Sequence, residues 1–456
     1  VQLRPYQERA IRDLRNAFRL GAQAPLLVLP TGGGKTIVFT EITRAAAEKG
    51  NRVLILVHRR ELINQASSKL AMVGLDHGII AAGQPSTDHP VQVASVQTIV
   101  RRLDSLDWQP SLIIVDEAHH AVAGSWRKVT DYWSSAFRLG VTATPCRLDG
   151  RGLSASFDQL VPGPTVHDLI FLGFLSDSRV YAPPVVADLS GIRKRAGDYA
   201  IDQAAEAMDQ PTVTGDAVGH YQKLAAGLQA IAFCCNIRHA TSICNAFNAA
   251  GISADLLLGE TKDRDDVVNR FGNGTTQILV TVDVVSEGFD VPAASCAILL
   301  RPTQSLSLYL QQVGRVLRPA PGKEAAIILD HVGNVQRHGF PDQEREWSLM
   351  EGAVKRKSNS TAPTVRTCPE CFAAFKPQPE CPLCGAPCAP KPKELTYVEA
   401  ELQELKREAV RQRIEERTKL KKEQGRARTL SQLLALAKER GYSSGWAYKI
   451  FQGRRR

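Results

Sequence analysis

Along this chain, short runs almost free of polar positions alternate with stretches where apolar residues recur every three or four positions. The runs at 25–29, 52–57, 91–94 and 112–115, and one ending at 141–145, read as strands buried on both faces. A second series follows at 229–234, 255–258, 277–281, 294–300 and 325–330. Helical patterns lie between them: one opened by Arg4-Pro5-Tyr6-Gln7 with Ile11, Leu14 and Phe18 on one face, and others at 37–49, 237–250 and 308–317. This alternation predicts an α/β fold of two lobes, each built on a parallel sheet that gathers its ligands at the carboxyl ends of the strands. Between the two series, over 148–215, the pattern weakens. Pro162, Pro164, Pro183 and Pro184 interrupt it, and 198–208 reads as a helix inside a connecting segment.

The polar clusters respect this frame, because each one follows a strand. The first strand runs into Leu29-Pro30-Thr31-Gly32-Gly33-Gly34-Lys35-Thr36 and then a helix. Glycines at such a turn let backbone N–H groups converge on an anion, and the helix N-terminus adds partial positive charge. Lys35 is placed to reach β- and γ-phosphates and Thr36 to put its hydroxyl on Mg²⁺. The loop departs from G-x-x-x-x-G-K-[ST] at Leu29, where the first glycine would stand. Asp116 and Glu117 follow the strand at 112–115: the first can hold Mg²⁺ opposite Thr36, the second can polarise an attacking water. In the second series, Arg315 and Arg318 share a helix face at i, i+3 and can neutralise charge developing on a γ-phosphate. Gly314 beside them permits a close backbone approach. A lobe without a phosphate loop of its own would then complete the site on the other.

Charge adds a third region. From Ala353 to Arg456 there are 23 Lys+Arg against 11 Asp+Glu, while the preceding residues hold 34 against 36. The whole basic excess is in the C-terminal quarter, as expected of a near-neutral body with a basic arm suited to nucleic acid, or of a solvated charged helix. No apolar run approaches the ~18–20 residues of a membrane span. No secretory pattern opens the chain, so a cytoplasmic location is expected.

Five of the ten cysteines crowd together. Cys368, Cys371, Cys381 and Cys384 form two C-x₂-C knuckles, with Cys388 to spare. Four thiolates converging on a point suit tetrahedral Zn²⁺, and the same ligands could take iron. After them, 394–424 reads as one charged helix. The final segment sets Leu430, Leu433, Leu434, Leu436 and Ala437 on a helical face, followed by Trp446, Tyr448, Lys449, Phe451 and Arg454-Arg455-Arg456. Those aromatics could stack on bases or form the core of a small domain.

Taken in order, the motifs closely resemble those of superfamily 2 helicases, in particular the DEAH-type translocases related to XPB and to type I restriction motors. The likeness covers about Leu3 to Asp330. Arg4–Gln7 resembles the adenine-reading motif, Pro30–Thr36 motif I, and Asp116–His119 motif II. His58-Arg59-Arg60-Glu61-Leu62 and Ser95-Val96-Gln97-Thr98 resemble the strand-contacting motifs Ia and Ib, and Thr142–Pro145 resembles motif III. Asp283 to Pro292 is similar to motif V and Gln311 to Arg318 to motif VI. The last segment has a shorter likeness to tails of phage-type helicases.

The resemblance implies two RecA-like lobes with ATP and Mg²⁺ in the cleft between them. It implies nucleotide contacts from Arg4, Gln7, Thr31 to Thr36, Gly288 and Asp290, with Gln311, Arg315 and Arg318 acting from the second lobe. It gives His119, Thr142 and Thr144 to coupling, and His58, Arg59, Arg60, Ser95, Gln97, Thr98 and Asp283 to the nucleic acid. The expected organisation is a first lobe at 1–165, a connecting segment at 166–214 and a second lobe at 215–340. A linker at 341–365, a zinc ribbon at 366–390, a charged helix at 391–425 and a C-terminal mini-domain at 426–456 follow. DNA is the expected partner, with a protein partner for the ribbon or arm. The alternatives are an RNA helicase and an ATP-gated nucleic-acid clamp or remodelling factor that does not unwind.

Overall fold

Strands with no polar position have no solvent face to offer, so they sit at the centre of their sheets. In the computed structural model, β1 (Pro25–Val28), β2 (Val53–Val57) and β5 (Leu112–Asp116) are buried along their whole length. The structure describes residues 2–85, 87–121, 123–146, 152–183, 193–195, 198–208, 211–282, 293–350, 365–388, 427, 429–439, 447 and 450–451. With β3 (Gly78–Ile80), β4 (Val91–Ser95), β6 (Phe137–Thr142) and β7 (Gln159–Pro162), these strands form a seven-stranded sheet in the order β3-β4-β2-β5-β6-β1-β7. Every pairing in it is parallel.

Period two persists inside the apolar runs. Leu27, Ile55, Ile114 and Val141 face the helices Pro5–Arg19, Lys35–Ala47 and Arg60–Met72. Leu26, Leu54, Ile113 and Val115 face the opposite layer, where Trp108, Trp126 and Trp133 pack. Each such side chain contributes about 1.5–3 kcal/mol relative to exposure. A one-residue slip would therefore exchange two filled layers at once.

The second sheet repeats the plan. After β8 (Asp177–Tyr181) and a small antiparallel hairpin of β9 (Lys194–Arg195) and β10 (Asp198–Tyr199) come β11 (Ala230–Phe233), β12 (Ala254–Leu257) and β13 (Ile278–Thr281). Further on lie β14 (Cys296–Leu299), β15 (Ala325–Asp330), β16 (Arg366–Thr367) and β17 (Ala373–Phe375). The order is β12-β13-β11-β14-β15-β8-β17-β16.

Three strands of this sheet, from two segments, come from outside the expected second lobe. The segment at 166–214, expected as a connector, supplies β8 beside β15. Asp-Ser-Arg-Val-Tyr has no apolar run because only its last two residues are buried. The cysteine-rich segment at 366–388 adds β17 antiparallel to β8, with β16 beyond it. It thereby covers an edge that would otherwise expose backbone donors and acceptors. The chain also returns to the first lobe late: the carbonyl of Leu349 accepts from Leu153 N (2.8 Å) and Ser154 N (3.0 Å).

The chain divides into two units, Val1–Pro390 and Lys391–Arg456. In the second, the helix Leu430–Glu439 buries Leu433 and Ala437 with Ala447, and Ile450 and Phe451 pack on them. The charged helix expected at 391–425 lies outside the described residues, as do Trp446, Tyr448 and Lys449. No described helix is long and apolar enough to cross a membrane.

Candidate active site

The loop after β1 owes its shape to its neighbours on both sides. Leu29 is fully buried and its N–H donates to Thr142 O (2.9 Å), so the residue that replaces the first glycine extends the strand and fills the core. Gly32 and Gly34 take φ +83° and +79°, and Gly34 caps the helix Lys35–Ala47. A Cβ at Gly34 would lie 2.3 Å from Gln7 Nε2, so only glycine fits both the turn and the space. Gln7 accepts from Arg4 N (2.9 Å) and is almost fully buried behind the loop, while Tyr6 Oη donates to Gly33 O (3.0 Å).

On the next strands, β5 delivers Asp116 and Glu117 to the same place. Asp116 Oδ1 accepts from Glu117 N (3.0 Å). Glu117 has φ +49°, a left-handed conformation that costs a non-glycine residue about 1–2 kcal/mol. That turn carries its carboxylate to 3.7 Å from Lys35 Nζ and 3.5 Å from His119 Nδ1, with all three side chains largely buried.

The second lobe closes the arrangement. Ser305 caps the helix Leu306–Gly314 by accepting from Leu308 N (3.1 Å). At the other end, a Cβ on Gly314 would lie 2.5 Å from Thr31 Cβ, so the helix backbone rests directly on the phosphate loop. Arg315 and Arg318 follow. Burial pushes the Arg318 pKa down to about 10, a cost that an anionic phosphate beside it would offset.

Together these elements enclose a cleft of about 300 Å³. Arg4, Thr31, Gly32, Gly34, Lys35, Thr36, Asp116 and Glu117 line it from the first lobe, and Arg315 and Arg318 from the second. Phe174, from the segment between the lobes, completes the wall with Arg4 Cζ 4.6 Å over its ring. A flat aromatic beside a guanidinium offers a planar base a stacking surface. A larger cavity of about 450 Å³ shares Thr31 but is lined mainly by apolar residues such as Leu160, Leu310 and Trp347. It lacks the lysine and paired carboxylates that a phosphate site needs.

Of the expected nucleotide residues, Gln7, Gly33 and Gln311 stand behind the cleft wall rather than in it. Asp283, Gly288 and Asp290 lie outside the described residues.

A polar chain leads out of the cleft. His119 Nδ1 is 3.3 Å from Thr142 Oγ1, which donates to Thr144 O and accepts from Thr144 N, both at 3.2 Å. Thr144 Oγ1 then meets Ser307 Oγ of the second lobe at 2.5 Å. Sequence reasoning found the first three members and missed Ser307, one residue into a helix whose later turns drew notice. It also missed Phe174, which no periodicity marks.

The described residues expected at the nucleic-acid face, from His58 to Arg60 and from Ser95 to Thr98, cluster at the carboxyl ends of β2 and β4. Gln97 Nε2 donates to His58 O (3.3 Å), Ser95 Oγ donates to Gln97 Oε1 (2.8 Å), and Arg60 and Gln97 are exposed.

Residues 1–147 match the family described as Type III restriction enzyme, res subunit, and residues 216–320 match Helicase conserved C-terminal domain. A 51.5 kDa protein of a Lactococcus phage is 37% identical over 390 residues, 84% of this chain and 83% of that protein. This chain belongs to the superfamily 2 helicases. It is a helicase-class, nucleic-acid-dependent ATPase. Another relative of this helicase is the DNA 3′-5′ translocase XPB2 of Sulfurisphaera tokodaii, 25% identical over 371 residues, 72% of this chain and 81% of that protein. Among solved structures, an HsdR fragment from Vibrio vulnificus superposes with a TM-score of 0.60 at 24% identity over 74% of this chain and 65% of the other. At that identity the likeness speaks for the fold of the helicase lobes.

The ribbon cysteines form the second chemical cluster of this helicase. The sulfurs of Cys368, Cys371, Cys381 and Cys384 all lie within 4.8 Å of one another, and Cys368–Cys384 and Cys371–Cys381 are each 3.6 Å apart. Four thiolates about 2.3 Å from one ion would be separated by about 3.8 Å, so the donor set fits tetrahedral zinc. Each knuckle turns through a left-handed residue after its second cysteine: Gly385 (φ +73°) in one and Phe372 (φ +60°) in the other. Phe372 O accepts from Ala182 N (3.0 Å), tying that knuckle to the second lobe. Cys388 is buried beside the cluster, outside the set of four.

Proposed function

We propose that this helicase is an ATP-dependent DNA translocase, coupling hydrolysis in the inter-lobe cleft to movement along DNA or to its unwinding. The observation that carries the reading is one cleft lined by Lys35, Asp116 and Glu117 from one lobe and by Arg315 and Arg318 from the other. The loop N–H groups and Lys35 bind the β- and γ-phosphates, and Thr36 and Asp116 would hold Mg²⁺, which neutralises charge on the phosphates. Glu117 orients and deprotonates the attacking water. Arg315 and Arg318 stabilise charge on the transferred phosphoryl group, which makes hydrolysis depend on lobe closure. Arg4 and Phe174 hold the base, with Gln7 behind the loop.

His58, Arg59, Arg60, Ser95, Gln97, Thr98 and Asp283 are assigned to the strand. The relative named as a DNA translocase favours DNA, and the basic C-terminal quarter suits a nucleic-acid backbone. The deciding experiment compares ATPase stimulation by single-stranded DNA, duplex DNA, forked DNA and RNA. Stimulation by RNA alone would replace the DNA reading. Stimulation without strand displacement or translocation would leave a clamp or remodelling factor.

The chain from His119 through Thr142 and Thr144 to Ser307 is the proposed coupling path. Ser307→Ala removes one inter-lobe hydrogen bond, worth about 1 kcal/mol. It is expected to leave unstimulated ATPase nearly unchanged and to cut the stimulated-to-unstimulated ratio about fivefold. Equal losses in both rates would remove Ser307 from the path.

The ribbon is proposed to hold one structural Zn²⁺, since four protein ligands leave no open position. Metal analysis of the purified protein should find one zinc per chain. Cys371→Ser should lower the zinc content and the melting temperature together, because β17 is part of the second sheet. Iron found in place of zinc, or no metal at all, would overturn this assignment.

A further inference from the structure

The turn that carries Arg315 and Arg318 needs its own support, because it begins where the helix Leu306–Gly314 ends and leaves carbonyls without intrahelical partners. Three successive carbonyls of this turn are nevertheless held. Leu317 O accepts from Ser176 N (2.7 Å). Val316 O and Arg318 O both accept from Lys323 Nζ, at 2.6 and 2.7 Å. The same ammonium donates to Ala294 O (2.8 Å), just before β14. Lys323 follows Gly322 (φ +75°), so the chain doubles back and the side chain points into the turn it has just left.

We propose that Lys323 is a positioning residue for the arginine pair, its three-donor ammonium locking the Val316–Arg318 turn so that Arg315 and Arg318 project into the cleft. This rests on the role given above to those arginines. An ammonium has three N–H donors and here meets three carbonyls; a neutral amine has two, and its lone pair would face an oxygen. Methionine would leave all three acceptors without this donor in a half-buried place. Two of the carbonyls, those of Val316 and Arg318, also follow a helix C-terminus, where partial negative charge favours a cation.

The surroundings make the lock sensitive to pH. Burial, and then the positive charge of Arg318, push the Lys323 pKa down to about 8. Among the described residues, the other charged groups around it are Glu324, next in the chain, Arg315 at the start of the turn, and Asp177 of β8, which pairs with Ala325; Ala293–Ser295 carry none. The lock is thus complete below about pH 8 and is lost as pH rises through that value. Stability follows the opposite sign. The unfolded chain keeps this proton to about pH 10.4, so between about pH 8 and 10 it holds a proton that the folded chain has lost, and Lys323 makes folding stability rise with pH. A fall in kcat without a fall in Tm therefore distinguishes positioning from a structural role.

The test uses the full chain with saturating nucleic acid, measuring kcat and the KM for ATP from about pH 7 to 9.5, with Tm at each pH. Wild type should lose kcat around pH 8 with KM nearly constant and no accompanying fall in Tm. Lys323→Met should lower kcat about tenfold at pH 7 with KM within about twofold. Lys323→Arg, which keeps its charge throughout, should lose the basic limb. A Met variant with wild-type kcat, parallel losses in kcat and ATP binding, or a basic limb unchanged in the Arg variant would overturn the assignment. Should neither variant fold, a flat wild-type kcat over the range would overturn it, and a limb near pH 8 without a fall in Tm would support it. A wild type without nucleic-acid-stimulated ATPase would instead refute the function on which the proposal rests.

Discussion

Lys35→Ala is expected to reduce ATP turnover by about three orders of magnitude and to weaken ATP binding, while nucleic-acid affinity changes by no more than a few fold. The ammonium sits at the N-terminus of the helix Lys35–Ala47, 3.7 Å from Glu117 Oε1 and almost fully buried. In the closed cleft it is the only lysine of the phosphate loop. Its removal leaves the loop N–H groups and the helix dipole to hold the phosphates, and these supply binding but little stabilisation of developing charge. The companion Glu117→Gln should behave differently. It keeps shape and burial, so ATP should still bind and the lobes should still close, yet turnover should fall to background because the amide cannot take the proton of the attacking water. Steady-state ATPase, nucleotide titration and nucleic-acid binding on the same preparations separate the two. Turnover that survives both substitutions would place the chemistry in another site.

The parts of this cleft that were legible in the sequence are those whose signal is local. A strand buried on both faces must be apolar throughout, so β1, β2 and β5 declared themselves, and so did the residues at their carboxyl ends. The glycines of the loop were legible for a local reason too: Gly32 and Gly34 take positive φ, and Gly34 also lies against Gln7. What escaped depends on partners distant in the chain. β8 is only half apolar because its outer residues are exposed, and its pairing with β15 is set by residues nearly 150 positions away. Ser307 is an ordinary early helical residue until Thr144 of the other lobe reaches it. Phe174 becomes a cleft wall only when Arg4 lies over its ring. Lys323 reads as a polar turn residue, and its three acceptors appear only after the helix end, β14 and its own turn meet. The attachment of the ribbon to the second sheet has the same origin. Its knuckles were legible from C-x₂-C spacing, whereas the edge it covers was not.

The second large effect concerns the arginines. Arg315→Ala is expected to lower stimulated kcat by about 10³-fold, near the lower end of what a trans-acting arginine contributes to phosphoryl transfer, with the KM for ATP changed less than about threefold. The asymmetry follows from geometry. Binding energy comes mainly from the loop, Lys35 and the base-stacking pair, all reached without the second lobe. Arg315 and Arg318 enter from that lobe, whose helix touches the loop at Gly314 and Thr31. In the proposed role, their strongest contact is expected to be with charge that develops only as the γ-phosphate leaves. Gly314→Ala should mimic the loss without touching either guanidinium. Its added methyl would sit 2.5 Å from Thr31 Cβ, so the lobes could not approach as closely and both arginines would withdraw together. A matched fall in kcat for Gly314→Ala and Arg315→Ala, with ATP affinity kept in both, would identify closure as the step that completes the site. Normal turnover in Gly314→Ala would mean that the arginines reach the phosphate without this contact.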